Sequence, residues 1–364
     1  MRFERLKYDN SLTNGLIFYF CDMKTKGLLL VFALAMSVAS CSTDVDLYAD
    51  QEEIPVIYGL LDCNADTNYI RITHTIRASD NPLLDASNAA MSDYPGKLDV
   101  RLTEFLNGDS VRQIILDTIT LHNKKPGIFY APNQKVYYTT ETLGRNNSRK
   151  NYRYKLSIFF PDCTLTTYAD LVGSDNFSPI NTAVDFTKAA FGWRLPFKFR
   201  PAINAAVYSI YMSFTYHERR TPNSDTIPVT FVWPIGTFSE SELLDQTGGD
   251  NYVFYYRSEN FYEALKDFID GDTTVPGLKR FITESPVTLT MTAGGENLRQ
   301  YLYYVNLVDP NNLTDLEFST IEGAIGCFSS QMSRSVLLML AGNTVSDLIE
   351  DEKWGFAFMG GQGP

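Results

Sequence analysis

The sequence predicts a mainly β fold: an immunoglobulin-like β-sandwich followed by a second β-rich domain with inserted helices. Three observations carry this. From Ile54 onward, apolar and polar residues alternate in run after run, as in strands that turn one face to a core. Turn-forming residues such as Asn107-Gly108-Asp109 and Pro126-Gly127 separate the runs. Two segments change to a helical period.

Taken in order, "NYIRITHTI" puts Ile70, Ile72 and Ile76 on one face with His74. "KLDVRL" aligns Leu98, Val100 and Leu102, and "YRYKLSIFF" aligns Tyr152, Tyr154, Leu156, Ile158 and Phe160. Several strands at this spacing predict a sandwich over residues 54–173. The loop-like "LVGSDNFSPINT" (171–182) divides it from a second domain, 174–364. There, Trp193, Leu195, Phe197 and Phe199 alternate with Arg194, Pro196 and Lys198. Pro196 cannot donate to a ladder, which predicts an edge or bulged strand. Tyr208, Ile210, Met212, Phe214 and Tyr216 form the next face, then Ile227, Val229, Phe231 and Trp233. In "SENFYEALKDFIDG" the helical stripe is Phe261, Leu265, Phe268 and Ile269, with Ser258 as N-cap and Gly271 as stop. In "ENLRQYLYYVNL" it is Leu298, Tyr301, Leu302 and Val305. Both helices are expected to pack on a sheet.

The start of the chain is of another kind. Lys24 and Lys26 precede an uncharged apolar run, Gly27 to Ser40, which ends in small residues before Cys41. A basic region, a short apolar region and a small-residue cleavage site describe a secretory signal peptide over residues 23–40. The run is too short for a membrane-spanning helix of about 20 apolar residues. Val38-Ala39-Ser40-Cys41 resembles a bacterial lipobox, which implies cleavage before Cys41 and lipid on its thiol. Several acyl chains anchor stably where one would not. Residues 1–22 read as an upstream extension outside the mature protein, and 41–53 as an acidic, solvated tether.

The chain holds 31 Lys and Arg against 43 Asp and Glu; residues 1–40 take five and three of these, leaving 26 against 40. So acidic a chain has no electrostatic reason to bind nucleic acid. Of the five cysteines, Cys21 leaves with the signal and Cys41 carries lipid. Cys63, Cys163 and Cys327 remain, an odd number without C-x-x-C spacing, so neither a disulfide framework nor a zinc site is indicated. Pairing of Cys63 with Cys163 and buried free thiols both stay open.

Nucleophilic catalysis needs a base beside the nucleophile, and the three histidines offer little. His74 reads as a hydrogen-bonded core residue, His122 lies in a Lys-rich turn, and His217 precedes Glu218, Arg219 and Arg220. G-x-S-x-G, the zincin pattern, the P-loop and G-x-G-x-x-G are all missing. Asp309, Asn311 and Asp315 lack the glycine and glutamate of a calcium loop. No catalytic, cofactor-binding or metal-binding residue is assigned, and no cofactor is expected. The 22 Tyr, 24 Phe and 3 Trp suit either a sugar-stacking face or ordinary strand packing.

Three segments carry a family likeness. Pro55 to Leu61 (PVIYGLL) is similar to a "P-V-V-x-G-x-L" pattern with Ile57 for the second Val, Tyr69 to Thr73 to "Y-x-R-I-T", and Thr320 to Phe328 to "N-I-x-G-G-x-G-x-F", with Thr320 for Asn and Ala324 for the second Gly. With the lipobox and acidic tether, the chain resembles a family of uncharacterised Bacteroidetes outer-membrane lipoproteins. The resemblance implies outer-membrane localisation, lipid-anchored at the cell surface or periplasmic face, beside a TonB-dependent transporter as partner. It also implies O-glycosylation candidates at Asp-Ser/Thr sites: Ser110, Thr118, Thr226 and Thr273. For Gly323 and Gly326 the physical reading is a turn or bulge with close backbone approach. Three functions follow as expectations: a non-catalytic, membrane-anchored interaction protein, a surface glycan- or small-ligand-binding module, and a carboxylate-dyad hydrolase.

Overall fold

The structure is a computed structural model. It describes residues 53–76, 88, 91–122, 133–144, 151–173, 176–245, 250–269, 278–307, 319–351 and 354–359. The signal segment, Cys41, Gly271, Thr273 and the 309–317 loop lie outside these residues. Glu52–Pro364 forms a compact unit of its own.

The chain is mainly β. Its first eight strands are β1 (Pro55–Leu61), β2 (Asn68–His74), β3 (Asp99–Leu106), β4 (Asp109–Ile115), β5 (Asp117–Leu121), β6 (Gln134–Thr139), β7 (Tyr152–Phe159) and β8 (Thr164–Asp170). One sheet runs β1-β2-β6-β5 and the other β4-β3-β7-β8. This is the immunoglobulin order, A-B-E-D facing C′-C-F-G. The alternating residues meet between the sheets: Ile57, Leu61, Ile70, Ile72, Val100, Leu102, Tyr154, Leu156 and Ile158 are all buried. Asn107 and Gly108 both take positive φ in the β3–β4 hairpin, as the sequence Asn-Gly requires there.

Polar groups inside the sandwich are paired. The Tyr154 hydroxyl accepts the Gly144 N–H at 2.9 Å and donates to Glu104. Glu104 also accepts Arg112 Nη2 at 2.9 Å, and Arg112 reaches Glu141 at 3.0 Å. A strand-F tyrosine bonded back to the preceding connection is the tyrosine-corner arrangement.

The second half contributes β9 (Ser178–Pro179), β10 (Ala183–Val184), β11 (Leu195–Arg200), β12 (Val207–Arg219), β13 (Ile227–Ser239), β14 (Tyr252–Tyr256), β15 (Lys279–Ile282), β16 (Val287–Gly294), β17 (Ile325–Leu340) and β18 (Phe356–Phe358). Among the described residues four helices are interspersed: α1 (Glu240–Leu243), α2 (Ser258–Ile269), α3 (Glu296–Leu307) and α4 (Gly342–Glu350). A sheet path β18-β15-β12-β16-β17 continues directly into β1-β2-β6-β5, while β14-β11-β9 forms a separate sheet. Aromatic side chains fill the space between them and α2. Phe197 stacks on Phe254 at 5.0 Å, Phe199 meets Tyr208 at 5.5 Å, and Phe186 stacks on Phe261 at 4.3 Å.

β17 joins the halves. Ile325–Ser330 pairs in parallel with β1, and Gln331–Leu338 pairs antiparallel with β16. Two apolar cores result, changing over between Leu171 and Val172, but Ile321, Ala324 and Phe328 belong to the first. The sandwich at 54–173 thus draws one strand and its preceding turn from the far end of the sequence.

Several local expectations need correction. Trp193 aligns with Leu195 in the sequence but precedes the strand and is 69% exposed, because Gly192 turns the chain at φ +85°. Ile227, Phe268 and Val305 are exposed as well. Each sits at or near an end of its element, and Phe268 keeps only a one-sided contact with the Phe231 ring, 5.4 Å between centroids. Ser258 opens α2 instead of capping it, fully buried, with no hydrogen-bond partner for its Oγ among the described residues. β11 is a central strand, but its neighbour β9 reaches only Phe199 and Arg200. At Pro196 the strand therefore has a single partner, β14, which a residue without an N–H tolerates.

Candidate functional site

The segments 55–61, 69–73 and 320–328 fold into three adjacent strands, β2-β1-β17. β1 and β2 pair antiparallel from Pro55↔His74 to Gly59↔Ile70, and β1 pairs with β17 from Val56↔Ile325 to Leu61↔Ser330. Gly323 takes φ +76° in a turn closed by Ala324 N–H to Ile321 O. Gly326 takes φ +125°, and a Cβ there would stand 2.0 Å from Ile57 O. Only glycine lets β17 approach β1 at this point.

The inner face of this ribbon is core. Its outer face carries apolar residues where alternation calls for polar ones: Tyr58 is 42% exposed, Tyr69 41%, and Leu60 is also exposed. α3 rises beside them. Its first turn is fixed on β17 by Leu298 N–H to Ser329 Oγ (3.1 Å) and Asn297 Nδ2 to Phe328 O (2.9 Å). Leu298 and Tyr301 then face the ribbon across a cleft of about 420 Å³. The Tyr58 and Tyr301 rings meet edge-on at 6.0 Å. Burial, and then a hydrogen bond to Tyr301, holds the Tyr58 hydroxyl well above the ordinary phenol pKa.

Much of the polar lining is already engaged. Asn68 Oδ1 accepts the Asp62 N–H at 2.7 Å, and its Nδ2 donates to Asp62 O at 3.2 Å. The Asp62 carboxylate accepts the Asn64 N–H at 2.8 Å; burial raises its pKa against that bond. The Cys327 thiol points at Asn297 O, 3.7 Å away, and burial pushes its pKa up to about 11. Thr67, Tyr69 and Gln331 complete the polar lining. The cleft therefore offers ring faces and aliphatic surface with few free donors, so it suits an uncharged, apolar group.

The other candidate residues are scattered. Ser110 is exposed on β4, while Thr118 on β5 and Thr226 before β13 are half-buried. His74 is half-buried, its Nδ1 3.0 Å from Thr75 O and its ring edge-on to Tyr94. His122 lies 2.5 Å from Asn133 Oδ1. His217 is on β12 opposite Phe281. The buried carboxylates Glu104 and Glu218 sit in different halves of the chain, each beside arginine. Among the described residues no group of three or more His, Cys, Asp or Glu is placed to hold a metal, and no helix is long and apolar enough to cross a membrane.

Cys63, Cys163 and Cys327 are free thiols. Cys163 immediately precedes β8, whereas Cys63 Sγ is 3.5 Å from Val172 O, beyond the other end of β8. A strand of that length separates them by roughly 20 Å at about 3.3 Å per residue. A disulfide needs Cα atoms within about 7 Å, so this fold excludes a Cys63–Cys163 bridge.

No protein-family model matches the chain, and no curated protein matches it.

Proposed function

We propose that this chain is a lipid-anchored, non-catalytic interaction protein of the outer membrane, and that an apolar segment of a partner protein docks in the Tyr58–Tyr69–Tyr301 cleft. The partner in view is a TonB-dependent transporter. The observation that carries the docking reading is the cleft itself. Tyr58, Leu60 and Tyr69 are exposed in a concave site, while Asp62 and Asn68 spend their hydrogen bonds on their own turn. Apolar side chains gain from such a surface, and a polyhydroxylated ligand would find little to replace its water. The anchor rests on the signal features before Cys41.

The test is recovery of the transporter from detergent-solubilised membranes. Leu60→Asp puts a charge on the cleft floor and is expected to abolish co-purification. Leu337→Asp, on an exposed site elsewhere on the sheet, should leave it intact. Equal recovery with both variants, or none with the unaltered protein, defeats the docking reading. Cys41→Ala should release the chain from membranes or leave it unprocessed. Unchanged fractionation and palmitate labelling would overturn the anchor.

A further inference from the structure

In the sheet of the second half, β12 pairs with β13 on one side and with β16 on the other, and β17 follows β16. Tyr208, Ile210, Met212 and Phe214 of β12 are buried in the core, so Ser209, Tyr211, Ser213 and Thr215 point to the opposite face. On β13 they stand beside Thr237, Pro234, Val232 and Thr230. On β16 the first three stand beside Thr292, Thr290 and Thr288, and β17 sets Ser333, Ser335 and Leu337 next to those threonines. A fifth of the residues in the chain are charged, yet no outward position on this four-strand face is. α3 reaches the sheet one row earlier, where a Cβ on Gly294 would stand 2.7 Å from Leu298. Charge returns beyond the other end, at Arg219, which lies over the Phe281 ring at 5.2 Å.

The polar groups of the face largely satisfy one another. Hydroxyl pairs bridge neighbouring strands at Thr215–Thr230 (2.7 Å), Thr290–Ser335 (2.8 Å) and Thr292–Ser333 (2.8 Å). Removing water from such pairs leaves little unmatched. Among them large apolar side chains stand in solvent: Leu337 is 65% exposed and Val232 58%, and Tyr211 and Met339 are exposed too.

We propose that this face is the contact between two copies of the chain, stacked sheet on sheet about a twofold axis. In a twofold contact a patch meets itself, so a charge near the axis meets its own sign, which strongly opposes association. A different partner could answer an acid with a base and would not require the face to be clear of charge. The chain carries 43 Asp and Glu against 31 Lys and Arg, so two copies repel each other in general. An uncharged face is where they can approach. Four strands about 4.8 Å apart and seven residues of about 3.3 Å make a face of roughly 19 by 23 Å. Two copies would cover roughly 900 Å² together, above most casual contacts and at the low end of specific ones. Pairing through the open edge of the sheet is disfavoured, because the edge strand β13 carries Pro228 and Pro234. The face shares no residue with the Tyr58 cleft, and the proposal does not rest on transporter docking.

The test is sedimentation velocity of the chain from Cys41 onward, unlipidated and reduced, from about 1 to 300 μM, a range suited to the weak association of so small an interface. The mass should rise from one copy to two and no further, because a twofold contact is closed. Added salt should strengthen the dimer, since it screens the repulsion between acidic copies. Leu337→Asp and Val232→Asp should each weaken it by about tenfold or more through like-charge contact, with the melting temperature of the single copy in place. Leu60→Asp in the cleft should leave the dimer unchanged. A single copy at every concentration, a dimer indifferent to both Asp variants, or one weakened by salt overturns the proposal. So does a chain that stays single while Leu337→Asp abolishes recovery of the transporter, which would assign the face to that partner.

Discussion

Gly326→Ala should be among the most damaging single-methyl additions in the chain. The new Cβ would stand 2.0 Å from Ile57 O, 2.9 Å from its carbonyl carbon and 3.2 Å from its nitrogen. All three atoms belong to backbone, so no side chain can swing away; β17 must separate from β1. An L side chain at φ +125° adds strain of about 1–3 kcal/mol. Separation also opens the contact of Phe328, which is fully buried beside Gly59; losing a buried Phe side chain typically costs about 3–5 kcal/mol. Partial loss of that contact plus strain puts the change at about 4 kcal/mol, a large share of the ~5–15 kcal/mol that holds a domain folded. Gly323→Ala is the control, because it has positive φ but nothing within 4 Å of its Cβ, so only strain applies. Urea unfolding of the chain from Cys41 onward should show Gly326→Ala losing several times more stability than Gly323→Ala. Similar losses in the two variants would show that the close approach of β17 to β1 is wrong.

Other consequences follow from the buried polar groups. Tyr154→Phe strands the Gly144 N–H and removes a donor from Glu104; it should lower stability by about 1–3 kcal/mol in denaturant unfolding, and an unchanged midpoint would refute the network. Native alkylation followed by mass spectrometry should label exposed Cys163 first, because burial pushes Cys63 and Cys327 up to about 11 and leaves little thiolate at neutral pH. Their raised pKa values also mean the folded state prefers both thiols protonated. That preference is full below the ordinary thiol value of about 9 and is lost as pH rises from there to about 11. An alkaline melting temperature unaffected by Cys327→Ser would count against it.

Alternation located the buried faces well where a strand has neighbours on both sides. Tyr152 to Ile158 in β7 and Tyr208 to Tyr216 in β12 are buried as the period of two requires. It failed at Trp193, where Gly192 ends the pattern three residues before the strand starts at Leu195. The cleft had a sequence signal that alternation alone does not use: Tyr58, Leu60 and Tyr69 are large apolar residues on the face opposite the buried Ile57, Leu61, Ile70 and Ile72. The wall of the cleft was not legible. Which strands neighbour β1 is decided by a parallel pairing between Val56 and Ile325, residues near opposite ends of the chain, and local pattern holds no record of it. The glycines of 320–328 suggested a close backbone approach, but only the fold names Ile57 as what they approach.

The shared strand also decides how the cleft behaves. Its floor belongs to β1 and β2 and its wall to α3, elements of different halves with different cores. If the halves were joined by a linker alone, relative motion would be the default and the cleft would open and close. Instead β17 is hydrogen-bonded to β1 over one stretch and to β16 over the next, and α3 is tied to that strand at Phe328 and Ser329. Ser330 strengthens the joint: its Oγ donates to Asp170 O and accepts the Val172 N–H at 2.9 Å. Separating the halves would break strand pairing and expose Phe328 together, so neither half can unfold without destabilising the other. The chain from Cys41 onward should therefore unfold in one transition, with tryptophan emission, which reports the second half through Trp193, Trp233 and Trp354, coinciding with far-UV circular dichroism, which reports both. Two resolved transitions, with the tryptophan signal following only one, would mean that β17 does not weld the cores and that the cleft is a hinge.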